Sequence, residues 1–418
     1  MGLRVALVHQ PWSRVVPPVS SGDSIALTTD RIARGLRTDN SIVCYSVRRR
    51  DQAEASSFEG IEYRRIESGY DRYLEKVGQV FDELGLLPPE HCSFGSSWYF
   101  RHYAYGIAED LRSHGADIVH IHNFSQFVPK IKERNPRTKV VLHMHADWLI
   151  ELDRGWVQPR LAATDAIICC SDYFAKGIRE NWPEVASRVQ VVYNGVTPEE
   201  VTGLGETLPM REESRRRILF VGRVVPEKGL HILIEAFNSL AEEFPDAELI
   251  IIGPTYKVRK ASLAIHTNKE AIVRELAKFG GTSYEEYLRG LLTSTAARRV
   301  KILGEVPRPE LLRHYRESDL LVLPSIYPEG FGVPIMEAAC WGLPAVATRR
   351  GGVPEVIVDG KTGLLVEAGD TTGLRAAIAE LLTNDVQRHR MGQAARERVK
   401  FFTWERAIRQ LHQLYKEI

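Results

Sequence analysis

Glu329 and Glu337 lie eight positions apart and bracket a glycine-bearing turn, Gly330-Phe331-Gly332-Val333-Pro334. Carboxylates accept hydrogen bonds from vicinal hydroxyls, so this pair suits an elongated ligand with a ribose at one end and a hexose at the other. Gly330 and Gly332 allow a backbone to approach such a ligand closely. Pro334 stands where the first turn of a helix begins, and the unbonded N–H groups of that turn favour an anion. Earlier in the chain, Arg223 and Lys228 leave a second loop five positions apart, without a paired acid at helical spacing. Two such cations suit a diphosphate, the arginine as a planar fork and the lysine as a point charge. Either motif alone could be ordinary, a capping acid or a pair of surface cations. Both together, each between a strand and a helix, argue for one binding crevice. A third loop, Arg349-Arg350-Gly351-Gly352-Val353-Pro354-Glu355, has the same strand–loop–helix setting and could add backbone donors or Glu355.

The elements that must position these loops are legible as an α/β chain, in which short apolar β-rich runs alternate with helix-length amphipathic stretches. Strands are expected at 4–9, 41–46, 118–121, 140–143, 166–170 and 189–193, and again at 217–222, 248–253, 300–303, 320–323, 345–348 and 363–366. Each set is large enough for its own doubly wound parallel sheet, which places ligands at the carboxyl ends of its strands. The glycine- and proline-bearing stretch 194–209 is the expected boundary. It separates an N-terminal domain, 1–195, from a C-terminal domain, 196–400, with 401–418 as a closing helix. Regions 70–112 and 255–283 look inserted. The first carries Trp98, Tyr99, Phe100, Tyr103 and Tyr105, read either as a buried helix face or as the wall of a sugar-acceptor groove. The second carries Lys257, Arg259 and Lys260, read as a solvated surface or a phosphate or membrane-surface contact.

The chain has 418 residues, 44% hydrophobic and 26% charged, with 55 Lys+Arg against 54 Asp+Glu and a formal charge of +1. That balance gives no support to nucleic-acid binding by the whole protein. No apolar run reaches the length of a membrane span, and five cysteines without C-x-x-C point to a reduced, cytoplasmic protein. His143 and His145 end one expected strand, and His120 and His122 end another. Each pair lies on one strand face, with the later residue nearer the strand end. With no i,i+4 helical histidine pair or nearby carboxylate set, no metal site is expected.

These motifs resemble the family 4 retaining glycosyltransferases over nearly the whole chain. The resemblance runs from His122-Asn123 through Ser171, Asn194-Gly195-Val196, the 222–229 loop, Gly304 and the 324–338 block to 351–355 and 360–366. It implies the GT-B fold: two facing Rossmann-like doubly wound domains, with a C-terminal helix (Phe402-Thr403-Trp404 onward) crossing back to the N-terminal domain. By that resemblance Glu329 contacts the donor sugar, Glu337 the ribose hydroxyls, and Arg223 and Lys228 the diphosphate. The amides of Phe331, Gly332 and Val333, next to Gly330, help fix the donor. His145 takes the position of a histidine at the sugar-binding crevice. The sequence departs from the family at the first strand–helix loop, Pro17-Pro18-Val19-Ser20-Ser21-Gly22-Asp23-Ser24, where many members carry Gly-Gly. Gly22 is taken to keep part of that donor-side role. Asp23 either caps the helix or meets an acceptor hydroxyl, with Trp98, Tyr99 and Tyr103 as further acceptor contacts.

The expected activity is transfer of a hexosyl group from a nucleotide-diphosphate sugar, a UDP-sugar by base rate, to an acceptor hydroxyl. Retention of configuration is implied by the resemblance alone. Arg223, Lys228 and the helix dipole at Val333 would stabilise the departing diphosphate without a metal, in keeping with the absence of D-x-D. No cofactor is implied. The acceptor is a sugar, a lipid-linked glycan or a small molecule, and peripheral membrane contact goes with the lipid-linked case. The competing enzyme reading is a sugar-nucleotide epimerase or hydrolase on the same scaffold. An NAD-dependent oxidoreductase is weakly supported, because Ile335 fills the third glycine position of G-x-G-x-x-G.

Overall fold

The computed structural model describes residues 2–17, 19, 24–197, 216–255 and 283–418. These form two compact units. The first takes in the described residues of Met1–Tyr193 and Trp404–Ile418, and the second takes in those of Asn194–Arg259 and Arg274–Thr403.

The first unit is built on eight strands: β1 (Arg4–Val8), β2 (Ser41–Val47), β3 (Ala55–Phe58), β4 (Ile61–Ile66), β5 (Ile118–His122), β6 (Lys139–Met144), β7 (Ala166–Cys169) and β8 (Val189–Val191). Their order is β3-β4-β2-β1-β5-β6-β7-β8, and every pairing is parallel except β3 with β4. The central strands are buried on both faces, as in a parallel sheet covered by helices, and are apolar apart from Arg4 and the histidines of β5. Strand order reverses between β1 and β5, so the loops that follow these two strands leave the sheet at its switch point.

The β3–β4 hairpin corrects the sequence reading, which placed no strand between 46 and 118. Its turn is Glu59-Gly60, both at positive φ (48° and 79°), where Asn-Gly or Asp-Gly would be the familiar signal. In β4, Ile61, Tyr63 and Arg65 alternate inward, and the buried Arg65 donates to the Ala53 carbonyl and the Ser56 hydroxyl. An arginine at a core position hid the period-2 pattern.

Helix α1 (Ser24–Leu36) covers this sheet through Ile32, Ala33 and Leu36. The last helix of the chain, Trp404–Glu417, packs against it with Ala407, Leu411 and Leu414, residues on one helical face. A Cβ on Gly35 would lie 2.4 Å from Ile408 Cγ1, so the glycine lets the two helices come together. The C-terminal helix therefore returns to the N-terminal sheet.

The second unit has six strands, β9 (Arg217–Val221), β10 (Glu248–Ile252), β11 (Val300–Gly304), β12 (Leu320–Leu323), β13 (Ala345–Thr348) and β14 (Gly363–Val366). They match the six expected positions. All pair in parallel in the order β11-β10-β9-β12-β13-β14, with the reversal between β9 and β12. Most of the 255–283 insertion, with Lys257, Arg259 and Lys260, lies outside the described residues, as do positions 198–209 of the expected linker. None of the five cysteines forms a disulfide, and all are buried.

Candidate functional site

In the second unit the loops after β9 and β12 emerge side by side at the reversal of strand order, and their charged residues meet. Lys228 Nζ lies 2.5 Å from Glu329 Oε1, with the two side chains 19% and 11% exposed. The Ser325 hydroxyl donates to the same carboxylate oxygen. Burial favours the neutral acid, but the charge and hydrogen bond of Lys228, the hydrogen bond of Ser325 and the charge of Arg223 outweigh it. Glu329 is held below the usual carboxylate range and is ionised at neutral pH. Arg223 itself is exposed.

Backbone contacts lock the three loops together. The Glu227 carbonyl accepts from the amides of Ile326 (3.0 Å) and Tyr327 (3.3 Å), joining the β9 loop to the β12 loop. The Gly352 amide donates to the Glu329 carbonyl at 2.8 Å, joining the β13 loop to the same point. Gly351 has φ +60°, and a Cβ there would lie 2.1 Å from the Glu329 carbonyl oxygen, so only glycine fits. Gly229, φ +68°, stands as close to Pro324: a Cβ would lie 2.0 Å from its carbonyl oxygen. It also caps helix α4 (Leu230–Glu243).

Gly332, in left-handed conformation at φ +83°, caps helix α5 (Val333–Cys340), with Pro334 in its first turn. Gly330 and Val333 are partly exposed, while Phe331 is buried, its ring edge-on to Phe402 at 5.3 Å. Glu337 lies one turn into α5. Arg308 Nη1 reaches its Oε1 at 2.5 Å, and the Tyr315 hydroxyl donates to Oε2 at 2.9 Å. Burial, then the charge of Glu337, pushes the Tyr315 hydroxyl far above its ordinary value, so it stays a donor. Ser325, Arg308 and Tyr315 escaped the sequence reading. Ser325 stood in the recognised loop without an assigned role, and no local signal marks the other two, 29 and 22 positions from Glu337.

In the first unit, β5 and β6 pair so that His122 lies opposite His143. Four imidazoles consequently stack across the strand ends. His120 Nε2 and His143 Nδ1 are 3.0 Å apart, His122 Nδ1 and His145 Nε2 are 2.9 Å apart, and His120 Nδ1 meets the Tyr415 hydroxyl of the last helix. Burial holds His120 and His145 down at about 3, and His122 and His143 also lie well below their ordinary value. All four are neutral at physiological pH. Nitrogens of His120, His122 and His143 fall within 4.8 Å of one another, a metal-like proximity reached by strand pairing rather than by the helical spacing that the sequence lacks. The His145 amide donates to the Asn123 side chain at 2.7 Å, which fixes the strand-end turn where Asn123 adopts φ +62°.

Two of the aromatic residues expected at an acceptor belong to the core. Tyr103 is fully buried, packs on Phe127 and donates to the His9 carbonyl at 3.3 Å. Tyr99, 4% exposed, stacks on Phe124 and donates to Glu75. Neither offers a face to a ligand. Trp98 is partly exposed and lines a cavity of about 350 Å³ with Leu87, Pro88, His91, Ser96 and Trp156. Gly22 and Asp23 lie outside the described residues.

Comparison with known proteins agrees with this architecture. The pattern of Glycosyl transferases group 1 matches residues 210–398, and that of Glycosyltransferase Family 4 matches residues 42–200. Spore coat protein SA of Bacillus subtilis is 24% identical over 99% of this chain and all of its own length. Lipopolysaccharide 1,2-N-acetylglucosaminetransferase of Salmonella typhimurium is 27% identical, covering 83% of this chain and 82% of its own. The crystal structure of Anabaena HepE in complex with UDP-glucose superposes with a TM-score of 0.64 at 18% identity, over the whole of both chains. The fold is GT-B.

Proposed function

This chain belongs to glycosyltransferase family 4, and on that premise we propose that it transfers a hexosyl group from a UDP-sugar to an acceptor hydroxyl with retention of configuration. The observation that carries the reading is the Lys228–Glu329 contact at the reversal of strand order in the second sheet. It sets a cation and a carboxylate at the place where doubly wound sheets bind nucleotides. Lys228 and Arg223 stabilise the leaving diphosphate, and Glu329 orients the donor sugar. Glu337, kept in position by Arg308 and Tyr315, receives the ribose hydroxyls. The amides of Phe331, Gly332 and Val333 open α5 towards the phosphates, where its dipole favours negative charge.

In this mechanism departure of the diphosphate is driven by fixed positive charge that needs no reorganisation as the bond breaks. The acceptor attacks the face the diphosphate leaves, and its proton passes to the departing phosphate. No side-chain base is then required. His145, neutral through burial, serves as a polar contact to a sugar hydroxyl and not as an acid.

The test is a panel of nucleotide sugars scored for release of the nucleoside diphosphate with and without acceptors, followed by NMR of the anomeric centre in the product. UDP release with the donor's anomeric configuration kept, at a rate unchanged by a metal chelator, is the expected outcome. Inversion removes the retaining step. Epimerised or hydrolysed donor without transfer to any acceptor favours the epimerase or hydrolase reading instead.

A further inference from the structure

Helix α2 (Asp71–Glu83) is folded against the first unit with its amphipathic faces reversed. Its inward residues are polar and bonded. Asp71 accepts from the amides of His102 (3.0 Å) and Tyr103 (2.8 Å) at the start of helix α3 (Arg101–His114). One turn on, Glu75 accepts from the Tyr99 hydroxyl at 3.2 Å. Asp82 accepts from the amide and hydroxyl of Ser93. Between them Gly78 leaves room for Trp98, since a Cβ would lie 2.5 Å from its ring.

The apolar residues of the same helix face outward. Tyr70 is 80% exposed, Tyr73 and Leu84 67%, Val80 49%, Phe81 42% and Leu74 36%. Their spacing, 70, 73, 74, 80, 81 and 84, follows one stripe of a 3.6-residue helix and its ends. A soluble protein rarely spends so many large apolar side chains on one exposed helix face, and such a stripe marks a docking surface.

We propose that this face docks on the interfacial layer of a phospholipid bilayer. The inference rests on the packing of α2 and not on the transfer reaction. Two features select lipid as the occupant. Arg72 and Lys76 lie exposed on one flank of the stripe and suit anionic headgroups, with the acidic Glu83 about two turns further along. The stripe also runs on through Leu84 and exposed Leu86 to Leu87 and Pro88, which line the cavity of about 350 Å³ with Trp98 and Trp156. Trp98 is also the ring that packs on the inward face of α2 at Gly78, so the cavity adjoins the helix that carries the stripe. An apolar recess at the end of an interfacial helix can take an acyl or prenyl chain, and two tyrosines at the opposite end match the headgroup level. No helix among the described residues is long and apolar enough to cross a membrane, so the contact is peripheral.

The test is flotation of the intact protein with vesicles of phosphatidylcholine alone and of phosphatidylcholine with about one-third phosphatidylglycerol, without donor or acceptor. Wild type is expected to float with both and more with the anionic set. The triple variant Tyr73→Ser, Phe81→Ser, Leu84→Ser is expected to lose binding by about tenfold or more. The double variant Arg72→Glu, Lys76→Glu loses the anionic preference and keeps the binding to phosphatidylcholine. Circular dichroism and thermal melting matching wild type establish that both variants are folded, since every substituted side chain is exposed. Wild type that stays at the bottom of the gradient overturns the proposal, as does a folded triple variant that floats like wild type. A dimer in sedimentation equilibrium that the triple variant abolishes assigns the face to a second copy and also overturns it. Protein that floats but transfers no sugar leaves the membrane face standing and removes only the transferase reading.

Discussion

The two sheets reverse strand order at equivalent places, β1/β5 in the first unit and β9/β12 in the second, yet the side chains there differ in kind. The second end carries ion pairs, Lys228–Glu329 and Arg308–Glu337, each at 2.5 Å and each partly open to solvent. The first end carries four imidazoles that burial has made neutral. A half-shielded ion pair keeps full charge and a set direction, and can exchange part of its bonding to a charged ligand. A buried imidazole stack offers dipoles and ring faces but no net charge. The topology supplies two equivalent platforms, and the loop residues decide whether each one presents fixed charge or neutral dipoles.

The largest test of that contrast removes the charge. Lys228→Ala and Glu329→Ala are each expected to cut UDP-sugar turnover by about 10²–10³-fold, whereas His145→Ala costs less because no charge is lost. Near-wild-type rates in both charge variants would erase the distinction between the two ends. Gly351→Ala sharpens it without touching a charged group. The added Cβ would meet the Glu329 backbone at 2.1 Å. Displacement of the loop on the order of 1 Å is expected to lower turnover by about 10²-fold. Loss of turnover with unchanged donor binding by calorimetry would show that Glu329 matters after binding.

The first unit should respond to acid through its buried histidines. Between 6.5 and about 3 an unfolded histidine binds a proton that His120 and His145 refuse in the folded state. The unfolded state therefore holds more protons, and stability rises with pH across that window. It is present in full above 6.5 and falls on acidification. Melting temperatures from about pH 7 to about pH 5, before most carboxylates titrate, should drop. The drop should lessen in His120→Asn, and a flat wild-type profile would contradict the buried neutral stack. The smallest effect is expected from Arg308→Lys, which keeps the charge beside Glu337 but not the planar fork. KM for the donor should rise about two- to tenfold with kcat little changed, in steady-state kinetics.

Much of this second platform was readable in the chain. Glycines at positive φ, a proline in the first turn and alternating strand and helix periods are local properties, so the six strands, the loops bearing Arg223, Lys228 and Glu329 and the helix bearing Glu337 stood out. The first platform was harder to read. The histidine pairs were visible, but their stacking depends on β5 lying beside β6 in one register, and a slip of one residue would turn them to opposite faces. The β3–β4 hairpin was hidden by an unusual turn dipeptide and a buried arginine. Tyr99 and Tyr103 were drawn towards an acceptor by residue type, although aromatic residues serve a core equally well.

The order of elements, the phosphate-suited cations and the two carboxylates were decided by the sequence, because backbone conformation and hydrophobic period are set by residues a few positions apart. Which groups meet was decided only by the tertiary structure. Lys228 finds Glu329 across 101 positions and Arg308 finds Glu337 across 29, while α2 turns its polar face inward. The physical reason is that hydrogen bonds, ion pairs and burial act over a few ångströms in space. Distance along the chain carries no record of that separation until the sheets have formed.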